Sequence, residues 1–216
     1  MGVDIADFNN DSYLDYIQVD MDAKDNRRSK ANMASMNPDL FWSTVNYGFH
    51  YQYMHNTLQL NRRIQGDKPF FSNISRLSGI SSTDWSWGPL LADLDNDGWK
   101  DLFISNGIRR EINHRDFFND IKLRPMSSDS LLYYTEQMPS EAIANFTFQN
   151  NSDLTFTDVS ESWGLDQKNF SNGATYADLD NDGDLELIVN NVDQEAQIYR
   201  NNSTNRQYAK LFTAMA

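Results

Sequence analysis

The chain has 216 residues, room for one large domain or two small ones, and its 31 acidic against 18 basic residues give a formal charge of −13. So negative a surface repels phosphate backbones and argues against nucleic acid as a partner, while 39% hydrophobic and 13% aromatic residues suffice for a packed core. With no cysteine there is no disulfide framework, thiolate zinc site or cysteine nucleophile. No apolar run reaches the roughly 18 residues of a membrane-spanning helix.

The opening segment, Gly-Val-Asp-Ile-Ala-Asp after Met1, has neither a basic nor an apolar region of the signal-peptide kind. It starts a pattern instead. Residues 2–15 read GVDIADFNNDSYLD, residues 88–101 GPLLADLDNDGWKD and residues 173–186 GATYADLDNDGDLE. The three fit one template, G-x-x-x-A-D-[FL]-[DN]-N-D-[SG]-x-x-[DE], which makes an internal repeat the first organising feature of the fold. A short β-rich run follows each loop: Tyr16 to Val19, Leu102 to Ile104, Leu187 to Val189. Residues 56–61, 145–150 and 197–201 predict a third strand. The blocks Phe71-Ser-Asn-Ile-Ser and Phe156-Thr-Asp-Val-Ser predict a fourth, with Tyr208 to Thr213 as its third instance.

Four short antiparallel strands per unit is the pattern of a β-propeller blade. The expected fold class is therefore all-β with helical insertions. The chain is expected to form about three blades, over 1–76, 77–160 and 161–216, as a partial arc of a longer propeller. Propellers close with about four to eight blades, so an arc of three leaves two apolar flanks for the remaining blades of a longer exported protein. Two insertions, residues 22–54 and 108–144, fall between second and third strands and should emerge on one face, a placement that favours a binding surface. In the second insertion, Ile112, Phe117 and Ile121 predict a helix over 109–121 closed by Pro125, and Ser130 to Gln137 a further short one.

Numbered from its first aspartate, each loop carries oxygen side chains at positions 1, 3, 5 and 9. These are Asp7, Asn9, Asp11 and Asp15; Asp93, Asp95, Asp97 and Asp101; and Asp178, Asp180, Asp182 and Glu186. Position 7 (Tyr13, Trp99, Asp184) offers a backbone carbonyl. Position 6 is Gly98 or Gly183, where a tight turn needs positive φ, and Ser12 in the first loop. Hard oxygens at alternate positions suit Ca²⁺, which takes six to eight such ligands, better than Mg²⁺, which prefers fewer carboxylates. About three Ca²⁺ are expected. An EF-hand is excluded, because position 12 is Gln18, Ile104 or Val189 instead of glutamate, and strands follow. Metal-free hairpin turns are the remaining alternative, and such turns need only one or two of these residues.

These loops, with the F-x-x-[IV]-S…G-[IL] block, resemble the FG-GAP/VCBS repeats of integrin α-subunit propellers. They are similar also to bacterial VCBS-repeat proteins related to cartilage acidic protein, which carry an ASPIC/UnbV segment. Asp84-Trp-Ser-Trp87, Asn106-Gly107, Trp163-Gly-Leu and Tyr199-Arg-Asn-Asn carry the resemblance to long exported proteins of Bacteroidetes. It implies a calcium-bearing propeller that is extracellular, at the cell surface or periplasmic. It implies adhesion, or binding of a protein or polysaccharide, and no reaction. Ser12 and Asn9 depart from the pattern at the first loop.

Other chemistry is sparse. His50, His55 and His114 are dispersed, and no nucleophile-elbow, P-loop or dinucleotide motif occurs. Trp85, Trp87, Trp99 and Trp163 read as a sugar-stacking platform or, with Trp85 and Trp87 on one strand face, as packing. Arg62-Arg63 and Arg109-Arg110 read as solvated pairs. Two function classes follow: a non-catalytic binding or adhesion module, and part of a calcium-dependent polysaccharide-degrading enzyme. The second requires an acid/base pair outside the loops, and the sequence displays none.

Overall fold

In the computed structural model, residues 2–32, 38–51, 53–65, 68–124, 128–202 and 207–213 are described. Pro125, expected to end a helix, lies outside them. The chain opens with β1 (Val3–Ala6) and β2 (Asp15–Gln18), passes through α1 (Asn26–Ala31) and α2 (Pro38–Asn46), and returns as β3 (Thr57–Gln65) and β4 (Lys68–Asn73). The second unit repeats this order. β5 (Ser86–Ala92) and β6 (Asp101–Asn106) lead into α3 (Arg115–Lys122), α4 (Ser128–Glu136) and the short β7 (Ile143–Ala144), then β8 (Phe146–Asn150) and β9 (Phe156–Asp158). After β10 (Lys168–Asn169), which pairs with β7, come β11 (Ser171–Ala177), β12 (Glu186–Asn191), β13 (Gln197–Asn202) and β14 (Gln207–Thr213). The result is three four-stranded antiparallel sheets, β1-β2-β3-β4, β5-β6-β8-β9 and β11-β12-β13-β14, plus a two-stranded ribbon.

Period-two alternation decides what each face buries. Along β6, Leu102 and Ile104 join Ile17, Leu58 and Phe148 in a cluster between the first and second sheets. Phe103, between them in sequence, joins Leu187, Val189 and Tyr199 in a cluster between the second and third. Every residue of β6 is buried, because the middle sheet is covered on both sides. Each fully buried side chain of this size contributes about 1.5–3 kcal/mol. The outer faces of the first and third sheets lack such cover among the described residues, and Val3, Ile5 and Leu179 are exposed there.

The insertions are held by charge. Asp25 caps α1, accepting from Arg28 N at 2.8 Å. The buried Arg28 guanidinium donates to both Asp84 oxygens (2.6 and 2.8 Å) and to Glu111 Oε1 (2.7 Å), joining the first insertion to the second sheet and the second insertion. The expected helix over 109–121 is shorter: α3 starts at Arg115, after His114 Nδ1 accepts from Phe117 N at 3.3 Å. Ile112 is consequently exposed ahead of it, and Ile121 alone of the expected trio is buried. Arg109 and Arg110 are not simply solvated. Arg109 pairs with Asp193 at 2.6 Å and lies over the Phe170 ring, and Arg110 donates to the carbonyls of Glu136 and Met138. Trp85 and Trp163 are buried, and half-buried Trp87 donates to Gly107 O, so these three serve packing.

Candidate metal centres in three acidic loops

Each acidic loop joins the first strand of a sheet to the second, and the register is the same each time. Ala6 pairs with Asp15, Ala92 with Asp101 and Ala177 with Glu186, so position 9 opens the second strand opposite the residue before position 1. Within the loop, aspartate side chains fold their own backbone, as short polar side chains do in turns. Asp7 accepts from Asp11 N and Ser12 N (3.0 and 2.7 Å); Asp93 accepts from Asp97 N and Gly98 N (3.1 and 3.0 Å). Asp178 accepts from Gly183 N at 3.2 Å. The position-5 carboxylates Asp11, Asp97 and Asp182 accept from the position-7 amides of Tyr13, Trp99 and Asp184 at 3.0, 2.9 and 3.2 Å. Asn9 Oδ1 lies 3.4 Å from Asp11 N.

Position 6 has positive φ throughout: 70° at Ser12, 91° at Gly98 and 95° at Gly183. The serine therefore holds a conformation that glycine adopts more cheaply. Position 4 does the same with asparagine, at 57°, 58° and 61° for Asn10, Asn96 and Asn181. Asparagine tolerates this region, and its recurrence at that position was the available sequence signal.

Oxygens of Asp93, Asp95 and Asp101 lie within 4.8 Å of one another, as do those of Asp178, Asp180 and Glu186, and of Asp180, Asp182 and Asp184. These clusters can hold a metal ion. Position 9 also has a second task. Asp101 accepts from Asn150 N and Leu94 N (2.9 and 3.1 Å), and Glu186 from Asn201 N and Leu179 N (3.3 and 2.8 Å). The buried Asp15 accepts from Asn61 N at 2.7 Å, but its Oδ2 has no hydrogen-bond partner. Burial, reinforced by the charges of Asp95 and Asp97, pushes the Asp101 carboxyl up to about 7. Burial, reinforced by Asp11 and Asp7, pushes Asp15 up to about 6. At the third loop the Arg200 guanidinium sits 2.7 Å from Asp180 and 3.8 Å from Asp182, occupying part of the negative field.

Sequence reasoning missed what locks one loop to the next sheet. Asn150 Nδ2 donates to Phe8 O at 2.8 Å, and Asn201 Nδ2 to Leu94 O at 2.8 Å. Both carbonyls belong to loop position 2, whose side chains Phe8 and Leu94 are buried. Leu179, at position 2 of the third loop, is 54% exposed, since no fourth sheet stands against it among the described residues. Compared with protein-family models the chain matches none, and it matches no curated protein.

Proposed function

We propose that the chain is a calcium-binding, non-catalytic segment of an extracytoplasmic β-propeller, its three sheets acting as blades and its insertions as the surface for a protein or polysaccharide ligand. The observation that carries the reading is the convergence of carboxylates in the equivalent loops of the second and third sheets, with position 9 buried in all three loops. Buried acids raised toward neutrality and an unpartnered Asp15 Oδ2 are the condition a cation relieves, because its charge offsets both repulsion and desolvation. Calcium fits better than magnesium, since each loop offers three or four side-chain oxygens beside the position-7 carbonyl. In the second loop Asp93, Asp95, Asp97 and Asp101 would be the side-chain ligands, with Trp99 O. In the third these would be Asp178, Asp180, Asp182 and Glu186 with Asp184, and in the first Asp7, Asn9, Asp11 and Asp15 with Tyr13 O.

Calcium titration calorimetry together with melting in calcium and in EDTA tests this. Uptake near three ions per chain, with affinities on the order of 10⁻⁴ to 10⁻³ M, is expected. A free concentration 100 times the dissociation constant adds about 2.7 kcal/mol per site to stability. No uptake, or a melting temperature that EDTA does not move, refutes the proposal.

A further inference from the structure

An aromatic row crosses the first insertion. The Phe41 ring in α2 lies 5.3 Å from Trp42, 5.9 Å from Tyr51 and 5.7 Å from Tyr53, and Tyr53 lies 6.1 Å from the His55 imidazole. Trp42 is 55% and Tyr53 54% exposed. Rings of this size are ordinarily buried, so a contiguous exposed set marks an interaction surface. The row ends at a cavity of about 400 Å³ lined by Tyr53, His55, Asn73, Ser75 and Arg76. Ser75 is only 1% exposed, and its hydroxyl has no hydrogen-bond partner.

The second sheet supplies an internal comparison. Its equivalent serine, Ser160 in the block Phe156-Thr-Asp-Val-Ser, donates to Asp158 Oδ1 at 2.7 Å and accepts from Thr147 N at 2.9 Å. The cavity beside it is acidic, lined by Asp158, Glu161 and Asp166. In the first sheet Asn73 replaces that aspartate, and its amide nitrogen lies 3.3 Å from His55 Nε2. The same position in the two units is thus satisfied and acidic in one, and in the other left without a partner beside Tyr53 and His55. A buried hydroxyl left open calls for an outside partner.

We propose that the Tyr53–Ser75 cavity and its aromatic row bind a neutral oligosaccharide. A sugar ring presents a C–H face that packs on flat aromatic rings and a rim of hydroxyls that both donate and accept. The Ser75 hydroxyl, Asn73 amide, His55 imidazole and Arg76 guanidinium match that rim. The chain's charge of −13 favours a neutral glycan over an anionic one. An amphipathic peptide helix would leave the Ser75 hydroxyl, the Asn73 amide and the Arg76 guanidinium of this lining facing apolar side chains. The inference rests on the reading of the chain as a non-catalytic binding segment and names the ligand class.

The test is affinity electrophoresis of the full chain, in calcium, through gels containing a soluble β-glucan, xylan or galactomannan. At least one should retard it. Tyr53→Ala should lower the association constant tenfold or more and Ser75→Ala several-fold, with calcium uptake unchanged. Because its hydroxyl makes no bond, Ser75→Ala should not lower the melting temperature of the free protein, which a purely structural serine would do. Retardation by none of the three, retardation indifferent to Tyr53→Ala, or Tyr53-dependent capture of a peptide library instead would overturn the proposal. A polysaccharide that retards the chain through Tyr53 and is shortened during the run supports the site and overturns the non-catalytic reading.

Discussion

Replacing Asn150 by alanine should destabilise the protein far more than the equivalent change at Asn61. The two asparagines lie in the third strands of successive sheets, Asn150 at the end of β8 and Asn61 within β3, and both backbone amides donate to a position-9 aspartate. The Asn150 side chain is buried, donates to Phe8 O and Lys100 O at 2.8 and 3.0 Å, and accepts from Ser152 N at 2.9 Å. Asn61 donates only to Leu14 O and accepts from Arg63 N, both near solvent. Three net hydrogen bonds at about 1 kcal/mol each, with buried partners left unanswered, put Asn150→Ala at about 3–4 kcal/mol and Asn61→Ala at about 1 kcal/mol or less. With a urea m-value of about 3 kcal/mol/M, the larger loss moves the unfolding midpoint by about 1 M. Urea unfolding followed by tryptophan fluorescence and far-UV circular dichroism, in saturating calcium, reads both variants. Equal losses at the two positions would refute the reasoning that inter-sheet locking, and not capping of the sheet's own loop, is the principal role of this asparagine.

Three further outcomes are expected. Arg200→Gln should raise the calcium affinity of the third loop several-fold by removing the cation beside Asp180 and Asp182, and Asp11→Ala should abolish uptake at the first loop alone; an unchanged calorimetric profile for Arg200→Gln contradicts this. In EDTA, Asp101 binds its proton more tightly when folded (about 7) than at the ordinary 3.8. Its burden on stability is therefore absent below pH 4, grows as pH rises, and is complete above about 7. Relative to Asp101→Asn, wild type should lose on the order of a few kcal/mol across that window, which melting curves at stepped pH will show, and calcium should suppress the loss. Arg28→Ala strands Asp84 and Glu111 as buried charges and should cost about 3–5 kcal/mol in urea unfolding, whereas Arg27→Ala, on an exposed pair, should leave stability nearly unchanged.

What the sequence determined by itself is local or periodic. Four oxygens at positions 1, 3, 5 and 9, positive φ at Gly98 and Gly183, and strands flanking each loop were legible because hydrogen bonds such as Asp93 to Gly98 N span only a few residues. The two-residue period of a strand likewise separates Leu102 and Ile104 from Phe103, though not which neighbouring sheet each faces. The spacing of Ile112, Phe117 and Ile121 implies a helix over 109–121 that starts too early, because the position of Ile112 fits a helix equally well until His114 is seen capping a later start. Contacts such as Asn150 to Phe8, 142 residues apart, and Asn201 to Leu94, 107 apart, exist only once sheets stack. The same holds for Arg28 among Asp84 and Glu111. Stacking also decides that Phe8 and Leu94 are buried while Leu179, at the same loop position, is not. Likewise Ser75 and Ser160 share a motif, yet only the packing around Asn73 and Asp158 leaves one hydroxyl open and the other satisfied. A repeat encodes equivalent backbones; the neighbours each copy meets in space determine what its side chains bond.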